Sequence, residues 1–383
     1  MKNGWPRKRL GDVCEIIMGQ SPDGDSYNTT GEGVPLINGP VEFSGESFGK
    51  TIRSKFTTHP TKFCKEGDLI LCVRGSTTGR MNIAGFDACV GRGVAAIRAK
   101  EYQPWINHFI SSKRDEIHDK GTGATFPNVS GGTLADFELV VPPVPEQQRI
   151  VGILDEAFEN IATAKTNAEK NLQNARALFE SYLQSVFTQR GPGWVEATLG
   201  EVCEFIGGSQ PPKSVFSKTK KADNVRLIQI RDYKSDNHVV YIPRAQARRF
   251  CNADDVMIGR YGPPLFQILR GLEGAYNVAL MKAVPDESRL SRDFLFYFLK
   301  HSTILQYVIY HSERAAGQIG LTKETLEPYP IALPSLTNQQ KVVETIMQLE
   351  VETRCLASLY ERKLAALEAL NGSLLHQAFT GKL

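Results

Sequence analysis

The chain has 383 residues, of which 41% are apolar and 23% charged, and its formal net charge is +3. This composition is that of an ordinary globular protein with room for two domains, and no apolar run approaches the length of a membrane span. Seven cysteines without a C-x-x-C pair argue against a disulfide framework and against a zinc site. Since the N-terminus also lacks a signal-peptide core, we expect a cytoplasmic protein without membrane association.

Residues 1–145 are predicted to form a mixed α/β domain. The run Leu69–Val73 is short, rich in branched residues and preceded by Gly-Asp, which is typical of a strand. Pro104–Lys113 has apolar residues at helical spacing, including two aromatic residues that we expect in the core. Leu134–Val141 resembles a closing strand that leads out of the domain.

Residues 146–190 are predicted to form one long helix. The segment has no glycine or proline after Gly152, and its apolar residues recur in steps of four and three, as in helices that pair along a narrow seam. About 42 residues at about 1.5 Å per residue make a rod of about 60 Å, longer than the core of one domain needs. The predicted stripe consists of Ile150, Leu154, Ala157, Ile161, Ala164, Ala168, Asn171, Ala175, Leu178 and Tyr182.

The remaining sequence repeats this organisation, with a second mixed α/β domain at 191–336 and a second long helix at 337–383. The offset between matching blocks drifts, so the strands are retained while the loops change length. The matching blocks are Trp5–Glu15 with Trp194–Glu204, Val34–Asn38 with Val225–Gln229, Gly67–Gly75 with Asp254–Gly262, and Val94–Arg98 with Val278–Lys282. One duplicated domain-plus-helix unit explains these matches and predicts an internal pseudo-twofold repeat.

The two long helices also start and end alike. Pro142–Val151 and Pro334–Val343 share a pair of glutamines, and both helices end in phenylalanine followed by threonine. We predict that the helices pair as an antiparallel coiled coil; two amphipathic helices, each lying on its own domain, are the alternative. The second stripe consists of Val342, Ile346, Leu349, Thr353, Leu356, Tyr360, Leu367, Leu370 and Leu374.

Known catalytic signatures are absent from the sequence. It contains no P-loop, G-x-G-x-x-G, G-x-S-x-G or H-E-x-x-H motif, and no F-x-G-x-G strand or N/D-P-P-Y/F tetrad of an adenine methyltransferase. Pro22-Asp23 and Pro285-Asp286 could begin a nuclease site, but neither has the second half of that motif. We therefore expect no catalytic residue, no metal and no cofactor on this chain.

Two variable α/β units, each followed by a long helix introduced by P-P-x-P-E-Q-Q-R-I-V, resemble the specificity subunit of type I restriction-modification systems. The resemblance spans the whole chain. In the second copy Thr337-Asn338 replaces Pro145-Glu146, and threonine or asparagine also suits a helix start.

The resemblance implies two target recognition domains, each recognising one half of a split double-stranded DNA site, and a helical pair that sets their spacing. It also implies two modification subunits that methylate one adenine per half-site, restriction subunits that join later, and S-adenosylmethionine, ATP and magnesium held by those partners only.

Loops that follow strands or flank glycines are where side chains reach base edges, arginine to guanine and asparagine or glutamine to adenine. The candidates in the first domain are Gln20, Ser21, Arg74, Arg80, Arg92, Thr125 and Asn128. Those in the second domain are Gln210, Lys213, Arg260, Tyr261, Gln267, Arg314 and Gln318. Phosphate contacts are assigned to Lys218, Lys220, Lys221, Arg248 and Arg249, because the segment 213–249 contains ten basic and three acidic residues. A solvated basic face without a partner is the alternative.

Two functions of other classes remain open. A fused methyltransferase-endonuclease would transfer methyl groups as an isolated chain. A scaffold that does not bind DNA would show no sequence-selective DNA binding even with partner proteins supplied. An isolated subunit would also expose helix faces meant for other chains, so it could self-associate.

Overall fold

The computed structural model describes residues 4–45, 48–122, 127–189, 191–262, 264–313 and 320–383. Three candidate base-contacting residues, Thr125, Arg314 and Gln318, lie outside the described residues. The chain divides into two compact units, residues 1–168 with 362–383 and residues 169–361. Each unit thus contains one predicted α/β domain and a part of each long helix.

The first unit contains a large sheet of order β2-β10-β7-β8, a small sheet of order β3-β5-β4-β9-β6, and the pair β1-β11. The expected closing strand is shorter than predicted, because Ser130 caps a short helix by accepting a hydrogen bond from Thr133 N at 3.1 Å. The elements in chain order are β1 (Arg7–Arg9), α1 (Leu10–Val13), β2 (Cys14–Met18), β3 (Tyr27–Asn28), β4 (Val34–Ile37), β5 (Phe56–Thr57), β6 (Phe63–Cys64), β7 (Leu69–Cys72), β8 (Met81–Ile83), β9 (Ala88–Val90), β10 (Val94–Ala99), α2 (Gln103–Ser112), α3 (Arg114–Asp119), α4 (Gly131–Ala135) and β11 (Glu138–Val140).

Strand β7, inside the large sheet of the first unit, is buried on both faces. Leu69 and Leu71 of β7 belong to the core that includes the aromatic residues of α2. Ile70 and Cys72 of the same strand belong to the core shared with β4 and β9 of the small sheet. Successive side chains of a strand point to opposite faces, so a strand covered on both sides is a continuous apolar run without alternation.

The second unit repeats this architecture, with sheets of order β13-β20-β17-β18 and β15-β14-β19-β16 and the pair β12-β21. The predicted duplication of a mixed α/β domain is therefore confirmed. The chain continues with α5 (Val144–Thr188), β12 (Val195–Thr198), α6 (Leu199–Val202), β13 (Cys203–Gly207), β14 (Asn224–Ile228), β15 (Tyr241–Pro243), β16 (Phe250–Cys251), β17 (Val256–Gly259), β18 (Gln267–Leu269), β19 (Gly274–Tyr276), β20 (Leu280–Pro285), α7 (Arg292–Lys300), α8 (Ser302–Glu313), α9 (Lys323–Leu326), β21 (Pro330–Leu333) and α10 (Leu336–Phe379).

One predicted correspondence between the domains is wrong by two residues. Gly19 N donates to Val94 O at 3.0 Å, and the equivalent bond in the second unit joins Gly208 N to Leu280 O at 3.0 Å. Val94 therefore corresponds to Leu280 and not to Val278. A slip of two residues leaves the same side chains on each face of a sheet, so the sequence pattern could not reveal it.

Both long helices are present, with 45 residues in α5 and 44 in α10. Most of the predicted stripe on α5 is buried or half-buried, but Asn171 and Leu178 are exposed. The neighbouring Leu172 and Phe179 are half-buried in their place. A straight helix has 3.6 residues per turn, so its inward face drifts away from a strict alternation of four and three. On α10 the same effect leaves two predicted stripe residues exposed, Leu356 and Leu370.

Parts of the two long helices contact each other within each unit. In the first unit, Arg149 Nη2 donates to Leu383 O at 3.1 Å and Lys165 Nζ lies 3.3 Å from Glu368 Oε2. In the second unit, Arg176 Nη2 lies 2.8 Å from Glu361 Oε1. The first unit's pairs show that its two helix segments run in opposite directions. Exposed ion pairs of this kind contribute about 1 kcal/mol or less, so apolar burial supplies most of the stability.

The repeated glutamine is a buried anchor at the start of each long helix. Gln147 Nε2 donates to Pro142 O at 2.8 Å, and Gln339 Nε2 donates to Pro334 O at 3.0 Å and to Arg289 O at 2.7 Å. Gln339 Oε1 also accepts from Ser291 N at 2.8 Å. These bonds satisfy backbone groups that would otherwise be buried without partners, which explains why the repeat retains this residue.

Burial of His108 predicts a loss of stability in acid. His108 Nε2 lies 2.8 Å from Asp155 Oδ1, while Nδ1 is buried without a partner in the described part of the chain. Burial lowers the pKa of His108 below its usual value of 6.5, and Asp155 only partly opposes this. Because the folded state favours the neutral ring, we expect its contribution to stability to be complete above pH 6.5 and to decrease as the pH falls below it.

Thermal denaturation between pH 7.5 and 5.5 tests this prediction, with His108→Gln as the comparison. The melting temperature of the variant should depend less on pH than that of the wild type. The exposed His59→Gln variant is the control, and the same reduction in that variant would contradict the assignment to His108.

Candidate nucleic-acid interface

Five predicted base-contacting residues of the first domain meet at one end of the large sheet. The antiparallel register pairs Met18 with Ala95, Cys72 with Val94, and Leu71 with Met81. The last residues of β2 and β7 and the first residues of β8 and β10 therefore lie at the same end. We call this the loop end of the sheet, and in the first unit it carries Gln20, Ser21, Arg74, Arg80 and Arg92.

Arg92 lies at the tip of a tight turn between β9 and β10. Gly91 N donates to Ile37 O at 2.9 Å and Arg92 N donates to Ser21 Oγ at 3.3 Å, which fixes the backbone of the turn. A Cβ on Gly93 would lie 2.4 Å from the backbone oxygen of Asn38, so the turn requires glycine at that position. The Arg92 side chain itself is exposed. Arg92 was predicted from the sequence, but the contribution of Asn38, Gly91 and Gly93 to the turn was not. The Gly-Arg-Gly sequence between two predicted strands could have indicated this tight turn.

Arg74 and Asn128 are 54 residues apart in sequence and contact each other. Their backbones form an isolated antiparallel bridge, and Arg74 Nε donates to Asn128 Oδ1 at 3.3 Å. Arg80 closes the turn that begins at Arg74, since Cys72 N donates to Arg80 O at 2.7 Å. Arg74, Arg80 and Arg92 are exposed, and within the described ranges none of the three forms an ion pair with a carboxylate. The loop end of the first unit is therefore positively charged.

The equivalent loop end of the second unit is chemically different. It carries Gln210 and Tyr261, which are exposed, and Gln267, whose Nε2 donates to Pro264 O at 3.0 Å. Arg260 is half-buried; its Nε donates to Leu321 O at 2.8 Å and its Nη1 to Val278 O at 3.4 Å. Its guanidinium also lies 5.3 Å from the centre of the Tyr261 ring. Arg260 thus holds the backbone of the loop end together, which its position in the sequence did not indicate.

The residues assigned to phosphate contacts belong to the part of the second unit around its small sheet. All of them are exposed, namely Lys218, Lys220, Lys221, Arg248 and Arg249, as is Lys213 on the preceding loop. A cavity of about 510 Å³ beside them is lined by Lys218, Arg226, Arg231 and His238. Arg226 Nη2 pairs with Asp236 Oδ1 at 2.8 Å, so only part of this positive charge is neutralised.

Metal-ligating side chains do not cluster in the parts of the chain that the structure describes. Among those residues, no group of three or more His, Cys, Asp or Glu side chains could hold a metal ion. Burial raises the pKa of Cys14 and Cys203 to about 12, so both thiols stay protonated at neutral pH. No helix in the described ranges is long and apolar enough to cross a membrane.

The family profile described as the type I restriction modification DNA specificity domain matches residues 2–173 and 192–363. A putative type I restriction enzyme MjaX specificity subunit from Methanocaldococcus jannaschii is 32% identical over 177 residues, which cover 45% of this chain and 40% of that relative. The type I restriction enzyme EcoBI specificity subunit of Escherichia coli is 21% identical over 432 residues, covering 100% of this chain and 86% of that one. The chain thus aligns with less than half of the first relative and with most of the second.

Solved structures show the same fold. The HsdS subunit of Thermoanaerobacter tengcongensis has a TM-score of 0.66 at 21% identity, covering 100% of this chain and 98% of that one. A chain from a study of complex assembly and conformational transition of the type I R-M system has a TM-score of 0.79 at 22% identity, covering 100% and 99%. Since the family profile matches both domains and most of the residues, the protein belongs to the type I restriction-modification DNA specificity family.

Proposed function

We propose that this chain is the DNA-recognising subunit of a type I restriction-modification complex and has no catalytic site of its own. Each α/β domain recognises one half of a split double-stranded DNA site in the cytoplasm. S-adenosylmethionine, ATP and magnesium are held by the partner subunits. The two halves of the chain recognise different sequences, because their loops differ while their strands correspond.

The observation that carries this proposal is the loop end of the large sheet. In both units the same four strand ends meet there and present exposed polar side chains, Arg92 and Arg74 in the first and Gln210 and Tyr261 in the second. A duplicated scaffold with different side chains at one equivalent surface suits two recognition tasks of the same kind. The basic residues 218–249 add affinity for the phosphate backbone without sequence information.

The long helices supply spacing and docking in this proposal. They pair as an antiparallel coiled coil, hold the two recognition domains at a fixed separation, and bind two modification subunits, with restriction subunits joining later. Apolar residues left exposed on α10 support a docking role: Met347 is 45%, Val351 66% and Leu359 49% exposed. When partners are lacking, the same surfaces lead to self-association.

Methylation mapping tests the proposed function. We would co-express the chain with modification subunits from its own genomic neighbourhood and map methylated adenines in the host DNA by single-molecule sequencing. A split motif with one modified adenine in each half is the expected result. Methyl transfer by the isolated chain would instead show that the chain is itself an enzyme. A stable complex that neither methylates DNA nor binds it selectively would show a scaffold.

The length of the helices is expected to determine the spacer between the half-sites. Deletion of seven residues from the middle of both helices keeps the apolar stripe in phase and shortens each helix by about 10 Å. At about 3.4 Å per base pair, the spacer should become shorter by about three base pairs. Methylation mapping would show the same half-sites at the reduced spacing.

The matched control is a variant in which the same fourteen residues, seven in each helix, are substituted by other residues so that the helices keep their length. It should keep the original spacer. Equal spacers in the deletion variant and the control would contradict the proposed role of the helices.

A further inference from the structure

Arg92 of the first unit and Val278 of the second occupy the same position in equivalent turns. Gly91 N donates to Ile37 O at 2.9 Å, and Asn277 N donates to Ile228 O at 3.1 Å. The turns close alike, since Val94 N donates to Gly91 O at 3.1 Å and Leu280 N donates to Asn277 O at 3.0 Å. Each central residue therefore lies at the tip of the turn that leads into the long strand of its large sheet.

The surroundings of Arg92 leave its guanidinium free for a ligand. The side chain is exposed, and within the described ranges the hydrogen bond of this residue uses its backbone N–H, which donates to Ser21 Oγ at 3.3 Å. Arg74 and Arg80 lie at the same loop end, so further cations are disfavoured there, and anionic or electron-rich acceptors such as those of DNA are favoured as ligands. A guanidinium presents two parallel N–H donors, which match the O6 and N7 acceptors of guanine in the major groove.

The surroundings of Val278 provide no free guanidinium that could donate hydrogen bonds to guanine. The side chain is apolar and 38% exposed. The nearby cation, Arg260, donates to Val278 O and Leu321 O, and thus turns its guanidinium toward the protein backbone. An exposed branched methyl group at the tip of a recognition turn fits the 5-methyl group of thymine, the apolar feature of the major groove.

We propose that Arg92 and Val278 give the two half-sites different base preferences, guanine through Arg92 and thymine through Val278. This inference rests on the proposed function, and it specifies which bases the same surface selects. The remaining loop residues set the other positions of each half-site. The backbone of the turn is fixed in both units, so the side chain at its tip determines the preference.

Reciprocal substitutions test this assignment in the complete complex. Methylation would be mapped for the wild type, Arg92→Val and Val278→Arg. In Arg92→Val, the preference for one G·C pair should fall about ten-fold or more in one half-site, while the other half-site stays unchanged. In Val278→Arg, the preference for one T·A pair should fall by a similar factor in the other half-site. Lys100→Val and Arg289→Val are the matched controls, because both residues are exposed and follow the opposite ends of the same strands.

Three outcomes would decide against the inference. It is overturned if Arg92→Val leaves every G·C preference intact, if it relaxes a pair other than G·C, or if both substitutions change the same half-site. These outcomes all require a split motif in the wild type. If the wild type produces none, the proposed function itself fails, so the two failures are distinguishable.

A measurement on the wild-type complex avoids any effect of the substitutions on folding. DNA duplexes would carry 7-deazaguanine, which lacks the N7 acceptor, at each guanine of the motif in turn. We expect one position in the Arg92 half-site to weaken binding about ten-fold, and that position should be insensitive in Arg92→Val. Equal binding of all the modified duplexes would overturn the proposal.

Discussion

Replacement of Phe187 with alanine is expected to lower the stability of the second unit by about 3–5 kcal/mol. Phe187 lies at the end of α5 and is 9% exposed. Its ring centre lies 5.3 Å from that of Phe294 and 5.4 Å from that of Phe298, both in edge contacts. Truncation would leave a cavity between the helix and α7 and remove these aromatic contacts. This position explains why both long helices end in the same Phe-Thr pair.

Hydrogen exchange followed by mass spectrometry separates the two units. Peptides that cover α7 should exchange faster in Phe187→Ala, whereas peptides that cover α2 should not change. Phe379→Ala should have the reverse pattern, because Phe379 contacts Trp105 at 4.6 Å and Phe109 at 5.5 Å between ring centres. Leu178→Ala, at a residue of α5 that is 51% exposed, is the control. A uniform increase over both units in Phe187→Ala would contradict the assignment.

The elements that could be predicted are those whose signal lies within one stretch of sequence. The long helices follow from apolar spacing and from the repeated glutamine, which the structure shows to be a buried hydrogen-bonding anchor. The predicted apolar stripe was wrong at Asn171 and Leu178, which are exposed. A strict alternation of four and three residues does not follow one face of a helix with 3.6 residues per turn over its full length. The strand Leu69–Cys72 could be recognised, but its two buried faces could not be assigned to partners.

The candidate interface depends on contacts between distant residues, which single-sequence patterns do not contain. Arg92 lies beside Ser21 only because β2 and β10 are paired, and Arg74 meets Asn128 across 54 residues. Arg260 was predicted to contact bases because it follows a strand, and the structure shows that its guanidinium donates to two backbone carbonyls. Its part in base recognition stays a prediction, as do those of the other candidates.

Replacement of Asp68 with alanine is expected to destabilise the first unit by about 3 kcal/mol or more. The Asp68 side chain is 3% exposed and binds Arg98 through two bonds, from Nε at 2.8 Å and from Nη2 at 2.7 Å. Its Oδ2 also accepts from Lys65 N at 2.7 Å, which fixes the turn before β7. Removal of the carboxylate leaves the partly buried guanidinium of Arg98 with only the exposed Glu15 as a carboxylate partner, and it leaves the backbone N–H of Lys65 without its acceptor. Chemical denaturation would measure the change in the free energy of unfolding.

Glu15→Ala is the matched control, because Glu15 binds the same Arg98 at 2.8 Å but its side chain is 59% exposed. Water replaces an exposed partner at little cost, so this variant should lose about 1 kcal/mol or less. Asp255 holds the equivalent position in the second unit and binds Lys282 and Arg292, and Arg292 also pairs with Glu287 and Asp254. Asp255→Ala should therefore cost less than Asp68→Ala, since Arg292, one of its two cations, keeps two other carboxylates. Equal losses in Asp68→Ala and Glu15→Ala would show that burial of the pair does not determine its contribution.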